Sequence, residues 1–270
     1  MDDIQIKNNL IEQLIEISKE AGKAILEVYN TNFEYQIKED LSPLTKADTL
    51  SHNIISERLK VLTPDIPILS EENSDIPFNI RSLWKQYWLV DPLDGTKEFI
   101  KRNGEFTVNI ALIENNKPIF GIIHVPVTNE TYWGSNIKGS FYTKGNNQKE
   151  KLCVEQNNKN PVRIVASRSH PSKMLESFLE EIGDYEIITK GSSLKFCLIA
   201  TGSADIYPRF GPTSEWDIAA GDAILLGAYG NIYDLNGNEI KYNIKSSYLN
   251  PFFIASNSQE LYFKLIKYLQ

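Results

Sequence analysis

Residues 91–96 read Asp-Pro-Leu-Asp-Gly-Thr, two carboxylates three positions apart with a Gly-Thr pair directly behind them. Two acids held that close repel each other unless a cation joins them, and an oxygen-loving divalent metal is the natural cation. A glycine turn leading into a helix start offers backbone N–H groups to an anion, which makes Gly95 and Thr96 candidate phosphate contacts. Metal and phosphate side by side indicate phosphoryl chemistry. The stretch also reads as a polar strand-to-helix turn with solvated acids, so the other acids must decide. Glu71, in Ser70-Glu71-Glu72, follows a short apolar run, and Asp217, in Trp216-Asp217-Ile218-Ala219-Ala220-Gly221, opens a predicted helix. Singly, these fit a solvated loop acid and a helix-start acid favoured by the macrodipole. As a set with Asp91 and Asp94, they could surround two hard cations that clamp the attacking and leaving oxygens of a phosphate ester.

Ester hydrolysis also needs a positioned water. A threonine hydroxyl hydrogen-bonded to a carboxylate can orient that water and take its proton. Thr96 is placed for this role, and Asp48, in Thr45-Lys46-Ala47-Asp48, is its candidate partner; Asp48 equally fits a surface acid in a helix's first turn. Further along, Ser167-Arg168-Ser169-His170 follows a predicted strand, Gly191-Ser192-Ser193-Leu194-Lys195 opens a helix, and Ile206-Tyr207-Pro208-Arg209 ends a strand. Strand exits and helix starts in α/β folds are where ligands bind. Lys195 and Arg209 could pair with a second phosphate, Ser192 could donate to a phosphate oxygen, and His170 could contact phosphate, ribose or base. Read singly, Lys195 also fits a solvated lysine and His170 an ordinary loop histidine.

The elements that must position these residues alternate along the chain. Leu10, Leu14, Ile17, Ala21, Ile25 and Val28 predict an amphipathic helix over residues 7–31. Pro43 breaks the chain before a second helix, Thr45 to Leu62. Short strands are predicted at Ile66 to Leu69 and Tyr87 to Val90, the latter stopped by Pro92. Phe106 to Glu114 and Ile119 to Val125 form a hairpin across Asn115-Asn116-Lys117-Pro118, followed by shorter strands at Thr131 to Trp133 and Ser140 to Thr143. The polar run Lys144 to Asn160 marks a boundary between an N-terminal α+β metal-binding domain, 1–155, and a C-terminal α/β substrate-recognition domain, 156–270. In the second part strands at Val162 to Ala166, Tyr185 to Ile188, Ala204 to Tyr207, Ile232-Tyr233 and Phe252 to Ala255 alternate with helices at Pro171 to Ile182, Leu194 to Thr201, Asp217 to Ala228 and Gln259 to Leu269.

Composition narrows the function classes. Of 270 residues, 41% are apolar and 23% charged, as in an ordinary globular protein. A net charge of −7 argues against a nucleic-acid-coating surface, which needs a basic stripe. Two cysteines and three histidines leave little for a disulfide framework or a thiolate or imidazole zinc site, so any metal site is expected to be built from carboxylates. The N-terminus has no signal-peptide pattern, and no apolar run is long enough to span a bilayer, so a cytoplasmic protein without an integral membrane segment is expected.

Asp91-Pro92-Leu93-Asp94-Gly95-Thr96, with Ser70-Glu71-Glu72 before it and Trp216-Asp217-Ile218-Ala219-Ala220-Gly221 after it, resembles the lithium-sensitive, magnesium-dependent phosphatase superfamily of inositol monophosphatases, fructose-1,6-bisphosphatases and 3'(2'),5'-bisphosphate nucleotidases. The resemblance implies an α/β protein with a layered αβαβα fold and two or three Mg²⁺ ions per site. It implies that Glu71, Asp91 and the Leu93 carbonyl hold one ion, that Asp91, Asp94 and Asp217 hold a second, and that Asp48 and Thr96 activate the water. Lys190-Gly191-Ser192-Ser193-Leu194-Lys195-Phe196-Cys197 and Tyr207-Pro208-Arg209-Phe210-Gly211-Pro212-Thr213-Ser214-Glu215-Trp216-Asp217 are similar to the bacterial CysQ type of 3'(2'),5'-bisphosphate nucleotidase. That similarity implies hydrolysis of the 3'-phosphate of adenosine 3',5'-bisphosphate, or of its sulfated form, to leave AMP in sulfur assimilation, with the remaining phosphate and the adenosine contacted by His170, Ser192, Lys195 and Arg209. An inositol or sugar phosphatase with the same metals is the alternative, and a non-catalytic nucleotide or metal sensor a more distant one. Such relatives are monomers or homodimers, and some are peripheral to the inner membrane.

Overall fold

The computed structural model describes residues 8–32, 35–37, 43–156, 160–167 and 173–269. In chain order the elements are α1 (Asn8–Tyr29), β1 (Tyr35–Ile37), β2 (Pro43–Thr45), α2 (Lys46–Leu62), β3 (Ile68–Ser70), α3 (Phe78–Arg81), β4 (Gln86–Asp94), α4 (Thr96–Ile100), β5 (Thr107–Glu114), β6 (Lys117–Val125), β7 (Glu130–Ser135), β8 (Gly139–Lys144) and β9 (Glu150–Leu152). They continue as β10 (Val162–Ser167), α5 (Lys173–Ile182), β11 (Tyr185–Lys190), α6 (Leu194–Ala200), β12 (Ile206–Arg209), α7 (Glu215–Gly227), β13 (Asn231–Asp234), β14 (Phe253–Ser256) and α8 (Gln259–Leu265), which ends in a 3₁₀ turn at Ile266–Leu269.

Strands β3 to β9 form one seven-stranded sheet in sequence order, parallel between β3 and β4 and antiparallel elsewhere. The second sheet has five strands in the order β11-β10-β12-β14-β13, parallel on the β11-β10-β12 side and antiparallel beyond. Alternation along the strands divides the interior into layers. Trp88, Val90, Ile110 and Leu112 face α1 and α2. Their neighbours Tyr87, Leu89, Ala111 and Ile113 face a second core, shared with Phe196 of α6, Ile224 of α7, and Val165, Tyr207 and Phe253 of the second sheet. The outer face of that sheet, with Ile164, Ile206 and Ile254, packs on Phe178 of α5 and Leu261 of α8. The order helices, sheet, helices, sheet, helices is the expected αβαβα layering, a mixed α/β fold. Among the described residues no helix is long and apolar enough to cross a membrane.

Helix α7 is the middle layer's main element and carries Asp217. It lies against β6 so closely that a Cβ on Gly121 would sit 2.3 Å from the Ala220 carbonyl oxygen. Only glycine fits there.

Two expectations need correction. Pro92 does not stop the strand: β4 runs on to Asp94, because a bulge between Asp91 and Asp94 takes the proline out of the hydrogen-bonding ladder. Asp217 does not open its helix but is its third residue, since Ser214 serves as the N-cap. The short strands β1, β2 and β9 carry too few residues for a periodic signal, and β9 falls inside the polar run read as a boundary.

Candidate active site

The bulge in β4 settles where its two acids point. Successive strand residues face opposite sides of a sheet, so Asp91 and Asp94, three apart, would diverge on a regular strand. Here Asp91 lies opposite Asn109 and Asp94 opposite Thr107, two residues apart on β5 and therefore on one face. The Thr107 hydroxyl lies 3.0 Å from Asn109 Oδ1, as same-face neighbours do. The extra residue on β4 brings both carboxylates to one side.

Asp48 and Asp217 reach the cleft by another device, used twice. Each is the third residue of its helix and closes a capping box. Asp48 Oδ2 accepts from the Thr45 N–H and hydroxyl, both at 2.7 Å. Asp217 Oδ2 accepts from the Ser214 N–H at 2.9 Å. The other two aspartates are tied alike: Asp91 Oδ1 accepts from the Leu93 N–H at 3.1 Å, and Asp94 Oδ2 from the Ser193 N–H and hydroxyl, both at 2.6 Å. Every one of the four thus has one oxygen fixed by a backbone N–H. Thr96 Oγ1 lies 3.4 Å from Asp48 Oδ1 and 3.2 Å from the Leu93 carbonyl, within donating reach of both.

Glu71, Asp91, Leu93, Asp94, Gly95, Thr96, Ser192, Lys195, Arg209 and Asp217 all line one cleft of about 220 Å³. Asp48 stands behind Thr96 and is buried. His170 lies outside the described residues. Gly95 takes φ of +89°, and a Cβ on it would lie 3.1 Å from the Glu105 carbonyl oxygen and 3.2 Å from Ser192 Cβ. The helix behind it, α4, is a single short turn.

The cleft's charges are strongly perturbed. Burial, followed by the charges of Glu71, Asp94, Asp217 and Asp48, pushes the Asp91 carboxyl well above its ordinary range. Burial, then Asp94 and Glu71, pushes Asp217 up to about 8. The acids crowd one another electrostatically, yet among the described residues no three acidic, histidine or cysteine side chains converge at metal-ligand spacing. Donors from the protein hold their oxygens instead. The donor chemistry itself, four carboxylates and a carbonyl with no sulfur or imidazole, is that of a hard divalent cation.

Opposite stand two buried cations. Lys195 is 6% exposed; burial lowers its ammonium to about 8 against the pull of Asp94, with Arg209 pushing the same way as burial. It donates to the Ser192 carbonyl and its Nζ lies 5.2 Å from the centre of the Tyr207 ring. Arg209 is 8% exposed, donates through Nη2 to the Pro212 carbonyl at 2.8 Å, and has a buried Nε with no hydrogen-bond partner. Among the described residues neither makes an ion pair. Lys195 is therefore not the solvated lysine its polar surroundings in sequence suggest.

Ser193, Asn109 and Glu105 are given no role in the sequence reading. Ser193 and Asn109 hold Asp94, and a polar Asn in the apolar run of β5 is the one signal that could have marked them. Glu105 accepts the Gly191 N–H at 2.8 Å across the cleft's rim; nothing local distinguishes it.

Comparison with known proteins gives the chain relatives of one family. A model of the inositol monophosphatase family matches residues 7–270. The 3'(2'),5'-bisphosphate nucleotidase CysQ of Salmonella typhimurium is 46% identical over 90% of this chain and 98% of its own length. A crystal structure of CysQ from Bacteroides thetaiotaomicron, a bacterial member of the inositol monophosphatase family, superposes with a TM-score of 0.82 at 37% identity, covering 95% of this chain and all of that one. An IMPase of Thermotoga maritima shares the fold at a TM-score of 0.79 with 22% identity, covering 97% and 96% of the two chains.

Proposed function

The chain belongs to the inositol monophosphatase family, and we propose that within it the protein is a Mg²⁺-dependent phosphatase that removes the 3'-phosphate of adenosine 3',5'-bisphosphate, leaving AMP and inorganic phosphate. The observation that carries this reading is one cleft with a wall of carboxylates, Glu71, Asp91, Asp94 and Asp217, and, facing it, two buried cations that have no counter-ion among the described residues. An inositol monophosphate has one phosphate and no use for the second wall. A nucleoside bisphosphate has a phosphate for each. The names of the CysQ relatives support the same choice.

Glu71, Asp91, the Leu93 carbonyl, Asp94 and Asp217 would hold the magnesium, which when bound neutralises charge on the phosphoryl oxygens and acidifies water. The chain's own groups do the rest. Thr96 Oγ1 turns its proton toward Asp48 Oδ1, which leaves a lone pair for a proton of the attacking water. The N–H and hydroxyl of Thr45 both donate to the other oxygen of Asp48, which holds Oδ1 in place to receive it. The Thr96 and Lys97 N–H groups precede the bonds that Glu98 and Phe99 make to the Gly95 carbonyl, and they are offered to the transferring phosphate. Lys195 and Arg209 hold the 5'-phosphate, Arg209 as a planar fork and Lys195 as a point charge. Ser192, held at φ of +45°, offers its hydroxyl at the rim between the two phosphates.

The test is phosphate release from adenosine 3',5'-bisphosphate, inositol 1-phosphate and fructose 1,6-bisphosphate, with and without Mg²⁺ and with added Li⁺. Mg²⁺-dependent, Li⁺-inhibited preference for the nucleotide is expected. Equal or faster turnover of inositol 1-phosphate would overturn the substrate assignment, and full activity in chelator would overturn the metal.

A further inference from the structure

We propose that Glu105 is the positioning residue that sets the distance between the two phosphate-binding walls, and so decides selection of a bisphosphate over a monophosphate; this rests on the nucleotidase reading above. Two loops meet at the cleft's rim. One is the turn Asp94-Gly95-Thr96, at the reacting phosphate. The other is Lys190 to Ser193, which leads into α6 and whose Ser192 carbonyl receives the Lys195 ammonium.

Glu105 is wedged between them. Its Oε2 accepts the Gly191 N–H at 2.8 Å and its Oε1 lies 3.4 Å from the Lys190 ammonium. Its carbonyl oxygen comes within 3.1 Å of where a Gly95 Cβ would be and 2.9 Å of where a Gly191 Cβ would be. Both loops therefore need glycine at the point where they touch this one residue. Asn103 braces the wedge: its Oδ1 accepts the Glu105 N–H at 3.0 Å, and its Nδ2 donates at 2.6 Å to Glu98, a buried carboxylate. Glu98 Cγ is also within 2.9 Å of a Gly191 Cβ, so the loop is seated on two glutamates.

A direct polar tie between the two loops runs from Ser193 to Asp94. That tie fixes the inner end of the second loop, at the metal wall. The Glu105–Gly191 bond fixes the outer end. Between the two anchors lies Ser192, whose αL backbone aims its carbonyl at Lys195. With the outer anchor gone, the peptide can relax and the ammonium moves relative to Asp94, while the carboxylate wall keeps its own local supports. A misplacement of about 1 Å at a binding group is enough to cost large factors in rate.

The experiment compares adenosine 3',5'-bisphosphate with adenosine 3'-monophosphate, which lacks the 5'-phosphate, in wild type, Glu105→Ala, Glu105→Gln and Gly191→Ala. Glu105→Ala is expected to lower the kcat/KM ratio of bisphosphate to monophosphate roughly tenfold, chiefly through KM of the bisphosphate, as for one lost charge-assisted contact. Half-activation by Mg²⁺ should stay where it is. Glu105→Gln keeps an oxygen for the Gly191 N–H and should recover most of the ratio. Gly191→Ala, which drives a methyl against Glu105 and Glu98, should shift the ratio in the same direction even if Glu105→Ala folds poorly. An unchanged ratio, or equal losses on both substrates, would overturn the role of Glu105. A wild type that fails to favour the bisphosphate would count instead against the nucleotidase reading.

Discussion

The two walls of the cleft are built alike and charged oppositely. On the acidic wall each aspartate is oriented by a backbone N–H: Thr45 for Asp48, Leu93 for Asp91, Ser193 for Asp94, Ser214 for Asp217. On the basic wall each cation is oriented by a backbone carbonyl: Ser192 for Lys195, Pro212 for Arg209. Neutral peptide dipoles fix the direction of every charge without neutralising it. Burial without a neutralising partner raises acids and depresses lysines, which is the pattern at Asp91, Asp217 and Lys195. Such a site gives up stability in order to hold charges for something else.

The acidic wall should be the more sensitive of the two. Asp94→Asn is expected to reduce phosphate release by about 10³-fold, the scale of losing a transition-state electrostatic partner, with the far-UV circular dichroism spectrum unchanged. A rate within a few-fold of wild type would remove Asp94 from the machinery. On the basic side, Arg209→Ala should raise KM for the bisphosphate by roughly 10 to 100-fold, as for a lost charged hydrogen bond, and leave adenosine 3'-monophosphate nearly unaffected. If KM for the two substrates rises together, the walls do not divide the two phosphates between them.

A pH profile sharpens the contrast further. Lys195 is charged below about 8 and neutral above it, so KM for the bisphosphate should climb by up to about tenfold per pH unit once that point is passed. The monophosphate's KM should stay flat there. A flat bisphosphate profile to pH 9.5 would show that the ammonium is not in use.

The smallest effect concerns Asp222, on the same helix as Asp217 but in the core, where it accepts from the Tyr242 hydroxyl at 2.8 Å and keeps Oδ1 without a partner. Burial raises it to about 7. The folded state therefore binds a proton that the unfolded state releases between the two pKa values, and stability falls as pH rises through 7. Asp222→Asn should raise the unfolding midpoint at pH 8 by a few degrees, about 1 kcal/mol or more, raise it less at pH 5, and change little below the ordinary aspartate value of 3.8. A midpoint lowered at both pH values would mean that the carboxylate is stabilising after all.

Much of the acidic wall was legible in the sequence because its orientation is local. Thr45 and Asp48 are spaced as a capping box, and Asp91 sits two residues from its donor in a proline-glycine turn. The helix start at Ser214 could have been read by the same rule, which would have corrected the placement of Asp217. The layering followed from the resemblance to the phosphatase superfamily, and α1 from its own apolar periodicity. What escaped is set by contacts between distant segments. Ser193 reaches Asp94 across 99 positions and Glu105 reaches Gly191 across 86. No short window contains either pair. Burial of Lys195 likewise depends on α6 packing between the two sheets, which its polar neighbours in sequence conceal.

The bulge in β4 has one more consequence. Whether Asp91 and Asp94 cooperate depends on how many residues separate them relative to the facing strand, and that number is odd on one strand and even on the other. Deleting Pro92 alone would leave every acid, serine, lysine and arginine of the cleft in the chain. It would also erase the bulge: Asp91 and Asp94 would stand two apart and still share a face, but the turn that brings the Leu93 N–H to Asp91 and the Leu93 carbonyl to Thr96 would be pulled straight. Substitutions erode this site one group at a time, whereas this deletion would keep every group and remove the turn that joins them. Insertions and deletions between residues 91 and 94 should therefore be tolerated far less than exchanges of Pro92 or Leu93 for other residues.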